Sequence, residues 1–515
     1  MNQITINELL RQTTAAHPGK TAIRFMRGTR CETERSYHQL LTDSNRCANQ
    51  LRHYGVRPGD RVIMLLRKSV AAVVAHFGIL AAGAVAVPLN PGFKKDELAY
   101  LFGDAEARLV LVEPDQADLV RSLGTTAVVV EIDSSCAFRE LPGLLADDSL
   151  PAAVPVTPES PALIIYTSGT TGNPKGAVLS HANLVNDART IIDIWRITAN
   201  DTICHALPLF HVHGLCFALH TLLLSGGRVL LLDEFKPAPV VELLSSRDDD
   251  QRCSVFMAVP AMYTKLIDHL GDCRPDFSHL RLLTSGSAPL LVKEFQRITS
   301  IFGKEPVERE GMSETGMNFS NPVDGKRVPG SIGRPLPGVA VRIVDPDSGL
   351  DLEPSAVGEI WLKGRSITAG YWKKERETAA AFAGGWFRTG DLGRVDANGF
   401  YYLTDRIKHI IISGGENVSA KEVETVINRI EGIVESAVVG QADEKWGERV
   451  VAAVCLKPGA NLSEDEVIHY CKEHLHDWKC PKSVTFVPEI PKNTMGKMLK
   501  EEIRKLFPPS GPTIS

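Results

Sequence analysis

Paired cysteines are what this chain most plainly lacks. Its ten cysteines, at positions 31, 47, 136, 204, 216, 253, 273, 455, 471 and 480 of 515 residues, are scattered, and none forms Cys-x-x-Cys. That spacing argues against a zinc site or a redox pair and fits reduced core thiols in a cytoplasmic protein. Excess positive charge is missing too. The net charge is -5, so no basic face is advertised for nucleic acid or for an anionic membrane. The Gly-x-x-x-x-Gly-Lys-Ser/Thr spacing of a Walker A loop does not occur. Met1-Asn-Gln-Ile-Thr-Ile6 lacks the charged-then-apolar layout of a signal peptide. Internal repeats and long low-complexity segments are also absent. Long apolar runs are scarce, and Val70–Val87 is the one that approaches the length of a membrane span. It holds His76, Gly78 and Gly83 and ends at Pro88, so it reads as a buried helix, a glycine stop and a short strand over Ala84–Val87.

What is present describes an ordinary globular protein, with 43% hydrophobic and 23% charged residues. The length suggests about three folding units. From about 20 to 240, β-like runs (Arg61–Leu66, Arg108–Val112, Ala127–Glu131, Val229–Leu232) alternate with helical patterns. A second such stretch runs to about 335. The expected fold class is therefore α/β, with layered, largely parallel sheets. Past Pro335 shorter runs (Val339–Val344, Gly358–Leu362, Gly399–Leu403) separated by Gly, Pro and Asp predict a β-rich subdomain. After Asp405, Ser419-Ala-Lys-Glu422 and Ser463-Glu-Asp-Glu466 each predict a capping box opening a helix. Strands expected at Val434–Val439, Val450–Leu456 and Val484–Val487 complete a small α+β unit.

The chemistry centres on Tyr166-Thr-Ser-Gly-Thr-Thr-Gly-Asn-Pro-Lys-Gly176, between the apolar run Ala162–Ile165 and a helical pattern starting near His181. Glycine lets backbone amides approach an anion, hydroxyls add donors, and Lys175 adds charge. Such a loop is built to hold a polyphosphate. The string resembles the phosphate-binding signature of the adenylate-forming superfamily of acyl-CoA synthetases, luciferases and nonribosomal peptide adenylation domains. Further motifs fall in that family's order along nearly the whole chain.

The resemblance implies an adenylation domain over 1–405, a small mobile domain over 406–515 and a hinge near 405–409. It implies phosphate contacts from Thr167, Ser168, Gly169, Thr170, Thr171, Gly172 and Lys175. In Pro208-Leu-Phe-His-Val-His-Gly214 it gives His211, not His213, the place between acyl pocket and nucleotide. Two histidines at this spacing could also suggest a metal, but no further ligand cluster supports one. Leu280–Pro289 reads as a strand and a small-residue turn. Relatives use that turn to wall the acyl pocket (Ser285, Gly286) and the adenine (Ser287, Ala288, Pro289). In Glu308-Arg-Glu-Gly-Met-Ser-Glu-Thr-Gly316 the resemblance assigns nucleotide contacts to Glu310, Gly311, Met312, Ser313 and Thr315. Glu314, with Thr170, would bind Mg²⁺ that bridges the phosphates, and Gly316 and Met317 would line the acid's pocket. Glu310 departs from the family, which carries an aromatic there to stack on adenine. Gly311–Thr315 also falls one residue short of a Gly-x-Ser-x-Gly hydrolase elbow, and no strand is evident before it. Asp391 and Arg406 resemble the ribose contacts, Lys408 the hinge position, and Gly414, Gly415 and Glu416 the loop lining the CoA tunnel. Lys497 matches the catalytic lysine.

Together these imply an AMP-forming acid–CoA ligase using ATP, Mg²⁺ and coenzyme A, with Lys497, Glu314, Thr170 and His211 catalytic. Gly316–Gly338 and Phe210–Leu215 look most like the malonyl-CoA synthetase branch. A dianion needs a cation in its pocket, and Arg281 is the sequence's candidate. Short or medium monocarboxylic acids stay open as substrates. So does a ligase that loads a carrier protein without making a CoA thioester.

Overall fold

The computed structural model describes residues 4–133, 156–167, 173–413, 416–443, 446–493 and 496–507, with the backbone alone for Lys408. The described residues fall into two compact units. One is Met1–Ala340 with Lys363–Phe387, the other Val341–Leu362 with Arg388–Ser515. The boundary expected at 405/406 lies inside the second.

The first unit is α/β, as its alternating pattern predicts. A six-stranded sheet takes the order Val128–Glu131, Leu109–Val112, Arg61–Leu65, Val85–Pro88, Pro161–Thr167, Lys175–Ser180. All neighbours are parallel except the last pair, a hairpin. The long apolar run divides as expected. Ser69 caps a helix over Val70–Ala81, and the strand Val85–Pro88 follows Gly83, whose φ of +78° suits a residue without a side chain. Every residue from Val70 to Leu80 is buried, so the run is a core helix, its apolar girth matched by protein on all sides. No helix among the described residues is long and apolar enough to cross a membrane.

A nine-stranded sheet carries the other half of the unit. Its order is Arg334–Pro335, Gly316–Ser320, Val307–Met312, Leu282–Ser285, Val255–Ala258, Thr202–His205, Arg228–Leu232, Thr21–Arg27, Arg30–Ser36. The strands from Val307–Met312 to Thr21–Arg27 run parallel, so the loops leaving their C-terminal ends gather on one edge. That edge is where open α/β sheets place ligands. The structure corrects the reading of Gly311–Thr315 in one respect. A strand, Val307–Met312, does precede it, but it turns back as an antiparallel hairpin onto Gly316–Ser320. A hydrolase elbow needs a strand-to-helix turn.

In the second unit, Tyr401–Arg406 pairs antiparallel with residues 391–395 of the strand Trp386–Val395, and the predicted Gly399–Leu403 strand begins two residues late because Gly399 occupies a turn at φ +79°. Further on, Glu416–Ser419, Ile410–Ser413, Gly447–Leu456, Ile433–Asp443 and Ser483–Phe486 form a sheet around Val418, Val423, Ile427, Val438, Val450 and Val467. Ser463 and Glu466 make the full capping box. Ser419 makes half of one. It accepts from the Glu422 amide, but Glu422 reaches out to Lys479 at 2.8 Å, while Asp405 takes the Ser419 hydroxyl at 2.6 Å.

Candidate active site

Thr167 and Lys175 are paired on the two antiparallel strands that flank the loop expected to hold phosphate. Ser168, Gly169, Thr170, Thr171 and Gly172 lie outside the described residues, as do Gly414 and Gly415. The loop's exit strand bridges to Tyr371 through Ala177, and Trp372 N–H donates to the Gly176 carbonyl at 2.8 Å. This brings the Tyr371 ring to 5.3 Å from the Lys175 ammonium. The Tyr371 hydroxyl donates to Glu314 Oε1 at 3.1 Å. Two residues expected at the polyphosphate therefore meet around a tyrosine the sequence reading missed. Its contacts with Lys175, Ala177 and Glu314 are all long-range, so nothing local marks it for this place.

Glu314 is 8% exposed on the hairpin turn. Asn318 Nδ2 braces that turn, donating to Thr315 Oγ1 at 2.7 Å and to Glu310 Oε2 at 3.0 Å. Asp187 braces it from the helix His181–Trp195 and accepts from the Met317 amide at 2.9 Å. Gly316, at φ +70°, lets this carboxylate come close: a Cβ there would lie 2.6 Å from Asp187 Oδ1. Burial pushes the Asp187 carboxyl up to about 7, although the Met317 amide and Arg309 pull it down. No group of three or more metal-ligating side chains occurs among the described residues. A single carboxylate such as Glu314 nevertheless suits Mg²⁺, which takes most of its oxygens from substrate and water.

Against the turn after Leu282–Ser285 packs the most unusual group in this unit, carried by the strand Val307–Met312. Arg309 is 3% exposed, and none of its three guanidinium nitrogens has a hydrogen-bond partner. Its guanidinium carbon stands 5.1 Å from the Phe217 ring centroid, and burial lowers its pKa to about 10. A Cβ at Gly286 would lie 2.6 Å from it, so only glycine leaves it this place. His213 opens a short π-helix, His213–His220, a form that recurs at functional sites. His213 Nδ1 hydrogen-bonds Ser287 Oγ at 3.1 Å, while Nε2 is buried without a partner. Burial, then the Arg309 charge, holds His213 well below the usual imidazole range, so it is neutral. The Ser285 hydroxyl is likewise buried and unpartnered.

Arg281, the cation expected in the acyl pocket, is a correction. It precedes Leu282 and so lies at the far end of that strand, roughly 15 Å from Gly286 at ~3.3 Å per residue. Its guanidinium is held bidentately by Asp201 at 2.6 Å and 2.6 Å and also donates to the carbonyls of Trp195 and Arg196. The cation that lies against the Gly286 turn is Arg309, which the sequence reading passed over. A signal existed in the sequence, since strand alternation puts Arg309 on the face of Val307 and Gly311, opposite Glu308 and Glu310. His213, set aside in favour of His211, joins Ser287. His211 packs its ring 4.7 Å from Phe210, and burial lowers its pKa to about 4. Ala288 and Pro289 follow Ser287 in the same turn, and Gly311, Met312, Ser313 and Met317 lie on the Glu314 hairpin.

In the second unit Asp391 and Arg406 are direct strand partners, and Arg406 Nε meets Asp391 Oδ1 at 2.6 Å. Glu359 braces the turn before them, accepting from the Gly390 amide at 3.1 Å and from Arg388 at 3.1 Å. Lys408 lies in the short turn Ile407–His409, and Glu416 is exposed and pairs with Ser413 at the turn end of the hairpin formed by Ile410–Ser413 and Glu416–Ser419. Lys497 sits in a hairpin closed by the Lys492–Met498 bridge, where its amide donates to Asn493 Oδ1 at 2.9 Å.

A family profile described as AMP-binding enzyme matches residues 10–372, and one described as AMP-binding enzyme C-terminal domain matches 422–497. The chain is 34% identical to an indoleacetate–CoA ligase of Aromatoleum aromaticum, over 97% of this chain and 98% of that protein. It is 36% identical to a mitochondrial malonate–CoA ligase of Bos taurus, over 87% of this chain and 82% of that one. The ATP-bound crystal structure of MatB from Rhodopseudomonas palustris superposes with a TM-score of 0.90 at 37% identity, covering 98% of this chain and 99% of that one.

Proposed function

The chain belongs to the AMP-binding enzyme family and is an AMP-forming acid–CoA ligase, and from that premise we propose that its acid is malonate or a similarly small dicarboxylate. The observation that carries this reading is Arg309, a buried cation without a hydrogen-bond partner beside the Gly286 turn. Burying a charge unpaired is costly unless a ligand supplies the counter-charge. A monocarboxylic acid spends its only carboxylate on the reaction. A dicarboxylate has a second one to set on Arg309, and the neutral His213 Nε2 and the Ser285 hydroxyl can complete its hydrogen bonds. Likeness to malonate–CoA ligases supports the same choice, while the indoleacetate–CoA ligase keeps an aromatic monocarboxylic acid as the second reading.

A free carboxylate is a poor electrophile because its leaving group would be oxide. One oxygen of the acid attacks the α-phosphorus of ATP, pyrophosphate departs, and the acyl-adenylate then carries AMP as a good leaving group. The CoA thiol attacks its carbonyl carbon and AMP leaves with the electron pair. Lys175 and the amides of the phosphate loop hold the polyphosphate, and Mg²⁺ at Glu314 would neutralise charge there. Thr315 and Ser313 position the reacting oxygens. Asp391 and Arg406 hold the ribose, and His211 separates acid from nucleotide. The protein's share is positioning and charge stabilisation.

Lys497 serves the first half-reaction, where carboxylate and phosphate repel, and the Gly414–Glu416 loop serves the second, across a hinge at Lys408. Lys497→Ala is therefore expected to lose ~10²–10³ in adenylate formation and to keep thioester formation from supplied acyl-adenylate. Equal loss in both half-reactions would remove Lys497 from this role. The substrate reading is tested by pyrophosphate release with malonate, methylmalonate, acetate, butyrate, octanoate, benzoate and indoleacetate, each with and without CoA. A preference for octanoate, benzoate or indoleacetate over malonate ends it, and pyrophosphate release without thioester formation would point to carrier loading.

A further inference from the structure

Lys175 and Glu314 come from segments far apart in the chain, and they converge on one side chain. The Tyr371 hydroxyl donates to Glu314 Oε1 at 3.1 Å, and the face of its ring stands 5.3 Å from the Lys175 ammonium. The phenol is half-buried, and a phenol is ordinarily protonated at neutral pH and so can donate. Its backbone is fixed on both sides. Tyr371 N–H donates to Thr378 Oγ1 at 2.9 Å, and its strand bridge to Ala177 ties it to the exit strand of the phosphate loop.

The next residues anchor this segment to the loop's entrance. Lys374 Nζ meets Asp104 Oδ1 at 2.8 Å, and Trp372 Nε1 donates to the Asp104 carbonyl at 3.1 Å. The other Asp104 oxygen, Oδ2, accepts from the Tyr166 hydroxyl at 2.8 Å, and Tyr166 immediately precedes Thr167. Tyr100, one turn earlier on the same helix, donates to the Pro174 carbonyl at 3.0 Å on the loop's exit side. Asp104 and Tyr100 thus clasp both mouths of the phosphate loop, and the clasp extends through Lys374 to Tyr371.

We infer that Tyr371 is a positioning residue for the ATP polyphosphate, orienting the Glu314 carboxylate through its hydroxyl and the Lys175 ammonium through its ring. The two functions are separable because they use different parts of the side chain. A hydrogen bond to a carboxylate fixes which way its oxygens face, which governs a cation held there. A cation held over an aromatic face loses freedom and is aimed without being neutralised. The inference rests on the reading of Glu314 and Lys175 given above.

The test is ATP binding measured by calorimetry, with and without Mg²⁺, on wild type, Tyr371→Phe, Tyr371→Leu and Glu314→Gln. Tyr371→Phe keeps the ring and loses the hydroxyl. It is expected to lose about tenfold of the affinity gained on adding Mg²⁺, the scale of a charge-assisted hydrogen bond, with Mg²⁺-free affinity within about twofold of wild type. Tyr371→Leu should also lose about threefold of the Mg²⁺-free affinity, the scale of a partly exposed cation–π contact. Retention of the full Mg²⁺ effect by Tyr371→Phe, while Glu314→Gln loses it, overturns the inference and spares the site. Retention by Glu314→Gln as well overturns the site reading and the inference with it. Equal loss with and without Mg²⁺ in Tyr371→Phe, accompanied by a lower Tm, makes Tyr371 structural and also overturns it.

Discussion

Arg281 and Arg309 are held by neighbouring parallel strands, yet their surroundings are opposites. Arg281, at the entering end of Leu282–Ser285, has 34% of its side chain exposed and is fully engaged by Asp201 and two carbonyls. Arg309, beside that strand's exit, is buried and makes no hydrogen bond. The nearest carboxylates differ as well. Burial works to raise Asp201, but hydrogen bonds from Arg281, Ser254 and Thr198 hold it below its usual 3.8. Asp187, near Arg309 but not bonded to it, is raised to about 7 by burial. A charge satisfied within the protein belongs to the fold. On the reading proposed above, a charge left unsatisfied is set aside for a ligand.

The largest effect expected from this contrast is at Arg309. Truncating one member of a buried charge pair costs ~2–5 kcal/mol. Arg309→Met should therefore lower kcat/KM for malonate by ~10²–10³ and leave KM for ATP nearly unchanged, as steady-state kinetics would show. A malonate activity that survives the change would break the comparison.

Next comes Asp187. Its folded pKa lies above the unfolded value, so the folded state holds the extra proton between about pH 4 and pH 7. Stability from this group is greatest at low pH and falls as pH rises through that window. Asp187→Asn should flatten the decline by about 2 kcal/mol between pH 5 and pH 8 in urea unfolding. An unchanged slope would mean that the carboxylate is already ionised.

A smaller change is expected at Arg281. Arg281→Met leaves Asp201 without its guanidinium, and with the pair partly open to solvent the cost should be about 1–2 kcal/mol of stability. The kcat/KM for malonate should not move. A selective loss of malonate activity would return Arg281 to the acyl pocket.

How far the chain could be read beforehand follows the same line between local and distant causes. Val70–Ala81 was legible because a wholly apolar run ended by Gly83 and Pro88 leaves little choice of structure. Ser463–Glu466 was legible because a capping box is settled within one helical turn. Ser419–Glu422 has the same pattern, but Asp405 and Lys479 compete for its two side chains from elsewhere in the unit. Motif order singles out Lys175 and Glu314, which flank one side chain in the structure. It could not find Tyr371, whose contacts cross from residue 371 to residues 175 and 314. Arg281 is a cation close in sequence to the Gly286 turn, and only Asp201, 80 positions away, shows that its guanidinium is already engaged.

The central claim is that Arg309 selects a second carboxylate. The most direct measurement is the kcat/KM of the unaltered protein for malonate against 3-methylbutyrate, in which two methyl groups stand where malonate has two oxygens. With Arg309 buried and awaiting a partner, malonate should be preferred by at least ~10², the discrimination of a site whose polar groups would otherwise stay unpaired. Equal use of the two acids, or a preference for 3-methylbutyrate, would contradict the account.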